Sequence, residues 1–304
     1  MKLMKYAAVG FALSLVSTHV FASSGPDYGV FYSHELLQTS NSAPVDYNTG
    51  DIPGNTVPGP YSYGAFDHLT PGGTLNSSSV TLPNSTNYPM VFTTDDNAWN
   101  YHSTATGTLA TTLALYPTGN YSVAGSGPGS GAGSGPLNLT AGSFPNTPQV
   151  LQVNGGAAQW LGNSLILNPY QANTITWTAF TNYVNAIGAN IALSVYAMTG
   201  GVHVVDQQAF TGPSGTGASP FSSYTFNAND LLGGQTYVAS IDYIQFTDLT
   251  TASGGYDVAG NETETNFIIQ TVPEANNFWL TGFAFIGVAL GLVWRRKDAL
   301  LIVA

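Results

Sequence analysis

A group of oxygen-bearing side chains near the end of the chain has the composition of a calcium site. Asp257, Asn261, Glu262 and Glu264 lie close together in the sequence. Calcium takes six to eight oxygen ligands, and carboxylate and amide groups supply them. The spacing differs from that of an EF-hand loop, and Asp and Asn are also common turn formers. These residues are therefore our candidate calcium ligands, with an ordinary turn as the alternative.

Three aromatic residues are candidates for stacking on sugar rings. Trp99, Tyr101 and Trp160 lie in or beside segments that read as loops. A flat ring at the surface can cover the apolar face of a sugar, whereas the alternative for such a ring is burial in a core. Burial is the better expectation for Trp177, which falls in an alternating run.

No catalytic constellation emerges from the sequence. The histidines form neither an HxxH nor an HExxH pair, and no cysteine is present to complete a zinc site. Matches to the G-x-S-x-G pattern fall where Gly and Ser alternate and arise there by chance. We therefore expect a non-enzymatic protein without an organic cofactor. The competing class is a carbohydrate-active enzyme, which would need two carboxylates flanking a sugar site.

The distribution of charge excludes several partners. No lysine or arginine lies between Lys5 and Arg295, while the chain carries 16 acidic residues. A surface without cationic side chains repels phosphate backbones, so nucleic acid is excluded as a partner. The same segment cannot form an internal salt bridge with lysine or arginine. Its stability must come from apolar burial, hydrogen bonds or bound cations.

The two ends of the chain have the pattern of targeting segments. Lys2 and Lys5 precede a short apolar run and a small-x-small motif that ends at Ala22, which predicts a signal peptide over residues 1–22 cleaved before Ser23. Near the other end, residues 278–294 carry no charge and would form a helix about 25 Å long. Such a helix can cross a thin bilayer, and the basic cluster that follows it would stay in the cytoplasm.

The last part of the chain, from residue 272 onward, resembles the PEP-CTERM sorting signal of Gram-negative envelope proteins. The resemblance is carried by Val272, Pro273 and Glu274, by the apolar segment, and by the basic cluster Arg295, Arg296 and Lys297. It implies recognition by an exosortase-like processing enzyme in the inner membrane. It further implies transient anchoring by the helix, and then delivery to the cell surface or the extracellular polysaccharide matrix.

A low-complexity segment divides the remaining chain. Residues 124–136 alternate glycine with serine, alanine and proline, which is typical of a flexible linker or an exposed loop. We expect an N-terminal β-rich region over residues 23–123, a linker over 124–136, a C-terminal β-sandwich over 137–271 and a sorting tail over 272–304. A long loop within one large sandwich is the alternative.

Alternating apolar and polar residues predict strands in the C-terminal region. These strands are expected at Thr174–Phe180, Ile191–Ala197, Val202–Val205, Ser223–Phe226, Tyr237–Phe246 and Thr265–Thr271. The run Leu231–Tyr243 resembles the glycine turn, tyrosine and strand of fibronectin type III domains. The run Tyr256–Asn261 resembles a turn before the last strand of bacterial immunoglobulin-like domains. The fold class is therefore expected to be all-β, an antiparallel sandwich.

The N-terminal region is less periodic. Strands are expected at Thr74–Leu82, Met90–Thr93 and Thr108–Tyr116, after an irregular entry over Asp27–Tyr63. Together these patterns predict an exported structural or adhesive protein of the cell surface, associated with exopolysaccharide or biofilm. A subunit that assembles into filaments through its edge strands is a further alternative.

Overall fold

The computed structural model describes residues 27–48, 59–68, 75–93, 98–104, 106–127, 135–199, 202–212, 217–252 and 255–273. Within these ranges the regular structure consists of β-strands, apart from a single helix, α1, Leu109–Leu115. None of the helical structure in these ranges is long and apolar enough to cross a membrane. The all-β prediction is confirmed.

The strands are numbered in chain order. Those of the N-terminal part are β1 Asp27–Leu37, β2 Val45–Asp46, β3 Tyr61–His68, β4 Ser77–Thr81, β5 Asn87–Pro89, β6 Val91–Thr93, β7 Ala98–His102, β8 Gly119–Ser126 and β9 Leu137–Leu139. Those that follow are β10 Val150–Val153, β11 Gly156–Ala157, β12 Trp160–Leu161, β13 Ser164–Leu167, β14 Asn173–Trp177, β15 Ala189–Ala197, β16 His203–Thr211, β17 Ser223–Phe226, β18 Thr236–Ala252 and β19 Gly255–Thr271.

One large sheet runs through the described chain. Its main path is β16-β15-β18-β19-β1-β3-β7-β6, with β2, β12 and β13 attached at the sides. Two smaller sheets have the orders β11-β10-β14-β17 and β5-β4-β8-β9. The first and last strands, β1 and β19, pair in parallel in the middle of the large sheet. At about 4.8 Å per strand, the main path is on the order of 34 Å wide.

Each small sheet covers part of one face of the large sheet and encloses a separate core. The C-terminal core lies between the large sheet and β10, β14 and β17, and it includes Ile175, Trp177, Leu193, Ile241 and Phe267. The N-terminal core lies between the large sheet and the sheet of β4, β8 and β9 and is rich in tyrosine. The molecule is thus two sandwiches that share one sheet.

A long hairpin connects the two sandwiches. Strands β18 and β19 pair along their length, with one bulge between Phe246 and Asp248. Near the start of β19, Ala259 lies in the N-terminal core, whereas Phe267, near the end of the same strand, lies in the C-terminal core. Because the backbone of β19 pairs with β18 from Gly255 to Gln270, one hairpin joins the two cores.

A second connection follows β1. The Gln38 side chain donates from Nε2 to the carbonyl of Val150 at 2.9 Å and accepts from the Val150 amide at 2.7 Å. Asn41 accepts from Trp160 Nε1 at 3.1 Å and donates to the carbonyl of Ala158 at 3.0 Å. The segment that follows β1 therefore forms hydrogen bonds with the small sheet and with strand β12 of the C-terminal sandwich.

Most predicted strands occur where the sequence places them. The prediction at Ser223–Phe226 coincides with β17, and those at Ile191–Ala197, Thr174–Phe180 and Met90–Thr93 overlap β15, β14 and β6. The strands at Tyr237–Phe246 and Thr265–Thr271 are present but much longer than predicted. Their extra length joins the sandwiches.

Three predictions are wrong. The segment Thr108–Tyr116 forms α1, whose first turn is capped by the Thr108 hydroxyl accepting from the Thr111 amide. The entry over Asp27–Tyr63 is not irregular throughout, because it contains β1 at the centre of the large sheet. The run Tyr256–Asn261 does not turn, since it lies within β19.

The glycine-rich segment lies between two paired strands. Strands β8 and β9 are antiparallel neighbours, with Tyr121 opposite Leu137, and the segment connects them. Strand β9 completes the N-terminal small sheet, so the described residues on both sides of the segment belong to the same sheet. The predicted signal peptide with Ala22 and Ser23, the helix over 278–294, and Glu274, Arg295, Arg296 and Lys297 lie outside the described residues.

Candidate functional site

A run of polar residues lies within β19, at the point where this strand passes from one core to the other. Residues 261–265 read Asn-Glu-Thr-Glu-Thr and are buried. Side chains alternate between the faces of a strand, so Asn261 and Thr263 point to the inner face, which carries the two cores. There Asn261 donates to the carbonyl of Thr140 at 3.1 Å, and Thr263 donates to that of Pro145 at 2.9 Å. These bonds hold the segment that crosses between the small sheets.

The opposite, outer face of the same run carries clustered carboxyl groups. Glu264 of β19 lies directly opposite Glu35 on β1 and opposite Asp242 on β18. Glu262 precedes Glu264 by two residues and therefore lies on the same face of β19. We call these four residues the acidic row. Directly opposed positions place Cβ atoms about 5 Å apart. All four side chains are buried, none being more than 3% exposed.

Serine hydroxyls hold part of the acidic row. Ser33 donates to Glu262 Oε2 at 2.5 Å, and Ser62 donates to Glu35 Oε1 at 3.0 Å. Two carboxyl oxygens of the row, Oε1 of Glu262 and Oε1 of Glu264, are buried and lack a hydrogen-bond partner. Hydroxyl donors can stabilise a carboxylate or a carboxylic acid, whereas an unpartnered buried oxygen disfavours the charged form.

Burial and mutual repulsion shift these groups towards the protonated form. Burial raises the pKa of Glu35 to about 8, despite the hydrogen bond from Ser62, and the charge of Glu262 adds to the increase. Burial likewise raises the pKa of Glu262 to about 7, with Ser33 opposing. The pKa of Glu264 is raised well above its ordinary value by burial and then by the neighbouring Asp242, Glu35 and Glu262. At neutral pH these effects favour the protonated forms of Glu35 and Glu264.

The structure does not bring the four candidate calcium ligands to one place. Glu262 and Glu264 face outward in the acidic row, while Asp257 and Asn261 occupy the inner face, because the strand alternates. Across the described ranges, no group of three or more His, Cys, Asp or Glu side chains is arranged to hold a metal ion. Calcium binding stays a prediction.

The aromatic candidates divide between the sandwiches. Trp99 and Tyr101 share the inner face of β7 and pack against the N-terminal core, where Trp99 lies 5.6 Å from the ring of Phe92. Trp160 packs against the C-terminal core. All three side chains are half-buried. Trp99 and Tyr101 are brought together, and Trp160 is not.

The histidines do not converge either. His34 lies on β1, with Nε2 3.0 Å from Asp46 Oδ1 and its ring stacked on Tyr61. His68 and His102 are on β3 and β7, and the exposed His203 stacks on Tyr196 at the far edge of the sheet.

Half of the acidic row was missed by the sequence analysis. Glu35 and Asp242 are single acidic residues within apolar strands, and each is remote in sequence from Glu264. A carboxylate inside a run such as Tyr-Val-Ala-Ser-Ile-Asp-Tyr is a usable signal, because charge is rarely buried without a partner. The signal marks each residue as unusual but does not reveal which strands are neighbours.

Comparisons with known proteins give only distant likenesses. No family model matches the chain, and neither does any curated protein. A biofilm-associated protein, BSP domain, is 10% identical, with 83% of this chain and 30% of that one covered at a TM-score of 0.21. A tetra-tandem repeat from the extending region of a large adhesion protein is 13% identical, with coverage of 78% and 49% and a TM-score of 0.18.

Domains A168–A170 of titin are 12% identical to this chain, with 79% of this chain and 62% of that chain covered at a TM-score of 0.19. The chain spans less than two thirds of each of these three structures. At such TM-scores the likenesses do not define a shared fold.

Proposed function

We propose that this chain is an exported, non-catalytic structural or adhesive protein that works at the cell surface or in the extracellular matrix. The targeting patterns at both ends support export, and the PEP-CTERM-like tail supports processing by an exosortase-like enzyme in the inner membrane. A body without lysine or arginine between residues 6 and 294 suits an extracellular protein that does not bind nucleic acid.

The observation that carries this proposal is the direct connection of the last strand to the predicted tail. Thr271 ends β19, and the Val272 amide donates to the carbonyl of Leu167 at 3.0 Å, so the body is held up to the start of the sorting motif. From Gly255 to Thr271 the strand extends about 53 Å. An anchor at the end of β19 would therefore place the C-terminal sandwich at the membrane and the N-terminal sandwich away from it.

Mass spectrometry of the termini of the native protein, combined with cell fractionation, tests export and processing. We expect a new amino terminus at Ser23, loss of the segment after the Pro273–Glu274 motif, and recovery from the outer surface or matrix. Replacing Arg295, Arg296 and Lys297 together by glutamine is the matched variant and should trap or misdirect the protein. An intact carboxyl terminus in the inner membrane would overturn the sorting proposal.

Extracellular polysaccharide is the partner that we propose for the body. A surface with carboxylates and neutral polar groups would bind neutral sugars through hydrogen bonds and aromatic contacts, or acidic sugars through divalent cations. Pull-down with matrix polysaccharide at low salt, with and without calcium, tests this partner. Retention by the folded chain and not by the heat-unfolded chain is expected. No retention under either condition would remove the adhesive role.

We also propose that the C-terminal sandwich is of the immunoglobulin and fibronectin type III kind. Tyr237 stands at the start of β18, and its hydroxyl accepts from the Leu232 amide at 2.7 Å. This is the arrangement of a tyrosine corner, in which a tyrosine early in a strand bonds backbone a few residues upstream. A Tyr237→Phe variant should lose about 1 kcal/mol of stability, as measured by denaturant unfolding.

Assembly through edge strands is a second candidate function, favoured by β6. This strand ends the path of the large sheet, carries no charged residue, and leaves Val91 70% exposed. The opposite edge strand, β16, carries the exposed Asp206, and charge on an edge discourages pairing between molecules. Concentration-dependent fibres that disappear in Val91→Lys but persist in Val45→Lys would establish assembly through β6.

A further inference from the structure

Four exposed apolar or aromatic side chains lie at the end of the C-terminal sandwich where β19 finishes. They are Tyr170, Met198, Val202 and Leu232, and we call them the apolar end. Val202 is 64% exposed and Leu232 is 68% exposed. Each of the four belongs to a connection between strands. Single apolar residues scattered over a surface are ordinary, whereas a group of them at one end of a sandwich indicates a contact surface.

Backbone and hydroxyl hydrogen bonds place three of these residues beside the end of β19. The Met198 amide donates to the carbonyl of Thr236 at 3.0 Å, so the turn that carries Met198 and Val202 lies beside the start of β18. The Leu232 carbonyl accepts from the Thr271 hydroxyl at 2.6 Å, at the end of β19. The β15–β16 turn and the connection into β18 therefore project from the same end of the sheet.

The fourth residue, Tyr170, reaches this end from another strand. Strand β13 runs parallel to β19, with Leu167 opposite Thr271, so both strands leave the sheet in the same direction. Tyr170 follows three residues later. The Asn229 amide donates to the carbonyl of Pro169 at 2.7 Å, which joins this connection to the one between β17 and β18. All three connections therefore form one end of the sandwich.

Only a short piece of chain separates this end from the predicted membrane helix. Val272 is held to the body, because its carbonyl accepts from the Gly234 amide at 3.2 Å. The five steps from residue 273 to residue 278 span at most about 18 Å. A helix in the bilayer over residues 278–294 would keep the apolar end within that distance of the membrane surface.

The charge of this end determines the kind of lipid that fits it. Among the described residues of the three connections, Asp230 is the one charged side chain, and it is exposed. Lysine and arginine are absent from residues 6–294. Electrostatic attraction to anionic lipid therefore cannot drive contact, and the available driving force is the removal of apolar side chains from water. Zwitterionic lipid meets this condition without repelling Asp230.

We propose that the apolar end is a membrane-contacting surface, which enters the interfacial region of a zwitterionic phospholipid bilayer while the tail anchors the chain. Val202, Leu232 and Met198 supply apolar area, and the Tyr170 ring matches the aromatic residues enriched at membrane–water interfaces. Because the tail already tethers the body, few contacts suffice to favour the docked position. This inference rests on the proposed anchoring, and it adds that the long axis of β19 stands away from the membrane.

A single-site fluorescent probe tests the contact, since the chain has no cysteine of its own. Val202→Cys in the full-length chain is labelled with an environment-sensitive dye, and the chain is reconstituted into vesicles of phosphatidylcholine. We expect the emission to shift to the blue and to be quenched by lipid spin-labelled at the headgroup. Val184→Cys is the matched control, because Val184 is 66% exposed and precedes the opposite end of β15. Strand β15 is about 27 Å long, so that probe should stay unquenched.

A second substitution measures the apolar contribution. Adding Leu232→Ser to the chain labelled at residue 202 should lower the ratio of docked to undocked body about tenfold, because one apolar side chain leaves the bilayer. Adding Val184→Ser in the same background should leave the quenching unchanged.

Flotation of the same vesicles separates failure of the anchor from failure of the contact. A chain that does not float with the vesicles overturns the anchoring. A chain that floats without quenching at residue 202 overturns the membrane-contacting surface and leaves the anchoring intact. Equal quenching at residues 202 and 184 also overturns it, because the body would then lie against the bilayer without a preferred end.

Discussion

The two sandwiches share a sheet but fill their cores in different ways. The N-terminal core stacks tyrosines, with the ring of Tyr63 4.7 Å from that of Tyr116 and 5.3 Å from that of Tyr121. The C-terminal core is mainly aliphatic, with Trp177 and Phe180 among Ile, Leu and Val side chains. Each buried tyrosine hydroxyl either finds a hydrogen-bond partner or carries a desolvation cost, whereas an aliphatic side chain brings no such group.

The tyrosines of the N-terminal core add hydrogen bonds to the apolar contacts. In the N-terminal core, Tyr32 donates to the carbonyl of Tyr116 at 2.7 Å and Tyr121 donates to that of Pro117 at 2.7 Å. These bonds fix the loop after α1 to the core. The larger C-terminal core also contains hydrogen-bonded tyrosines, Tyr183, Tyr237 and Tyr243, but most of its side chains are aliphatic. Its stability should therefore respond mainly to the loss of volume.

The largest expected effect is the removal of an aromatic ring from the C-terminal core. Phe267→Ala should cost about 3–5 kcal/mol of unfolding free energy, because the ring is buried and leaves a cavity. Since β19 serves both sandwiches, hydrogen exchange of β3 in the N-terminal part should accelerate together with that of β15. Faster exchange in β15 alone would mean that the two sandwiches unfold independently.

An intermediate effect is expected at the connection between the sandwiches. Gln38→Ala removes both hydrogen bonds to Val150 and leaves its buried backbone groups unpaired, so it should cost about 2 kcal/mol in urea unfolding. Ser40→Ala, in the same segment, removes only the bond from the Ser42 amide and should change stability by less than about 0.5 kcal/mol. Equal costs for the two variants would show that the Gln38 bonds do not connect the sandwiches.

The smallest effects compare two tyrosines of the same core. Tyr32→Phe should cost about 1 kcal/mol, because the hydroxyl that bonds Tyr116 is lost. The hydroxyl of Tyr63 is buried without a partner, so Tyr63→Phe should be neutral or slightly stabilising. Denaturant midpoints of the two variants check the contrast. A larger loss in Tyr63→Phe would indicate a partner for that hydroxyl in solution.

The sequence predicted the C-terminal strands well because one face of each is more polar than the other. Strand β14, Asn173–Trp177, alternates buried and half-buried residues along its length, which is the pattern that a periodicity argument detects. Strand β1 was missed because it lies between two other strands and is buried on both faces, so its sequence does not alternate.

Helix α1 and the acidic row were missed for different reasons. The threonines of Leu109–Leu115 favour strands, and this masked the helical spacing of Leu109, Leu113 and Tyr116 behind the Thr108 cap. The acidic row depends on pairing between Glu35 and Glu264, which lie at opposite ends of the chain. Local spacing holds no information about such a pair, whereas the absence of lysine and arginine already indicated that buried carboxylates would lack cationic partners.

The position of β19 has a consequence for the order in which the protein folds. Among the described strands, the last in the sequence, β19, fills the place between the first, β1, and β18. Until it emerges from the ribosome and any translocation channel, one edge of β1 is open to pairing with other chains. Contacts so distant in sequence form slowly. The nascent chain therefore needs protection for almost the whole of its synthesis, and its sheet closes in a single late step.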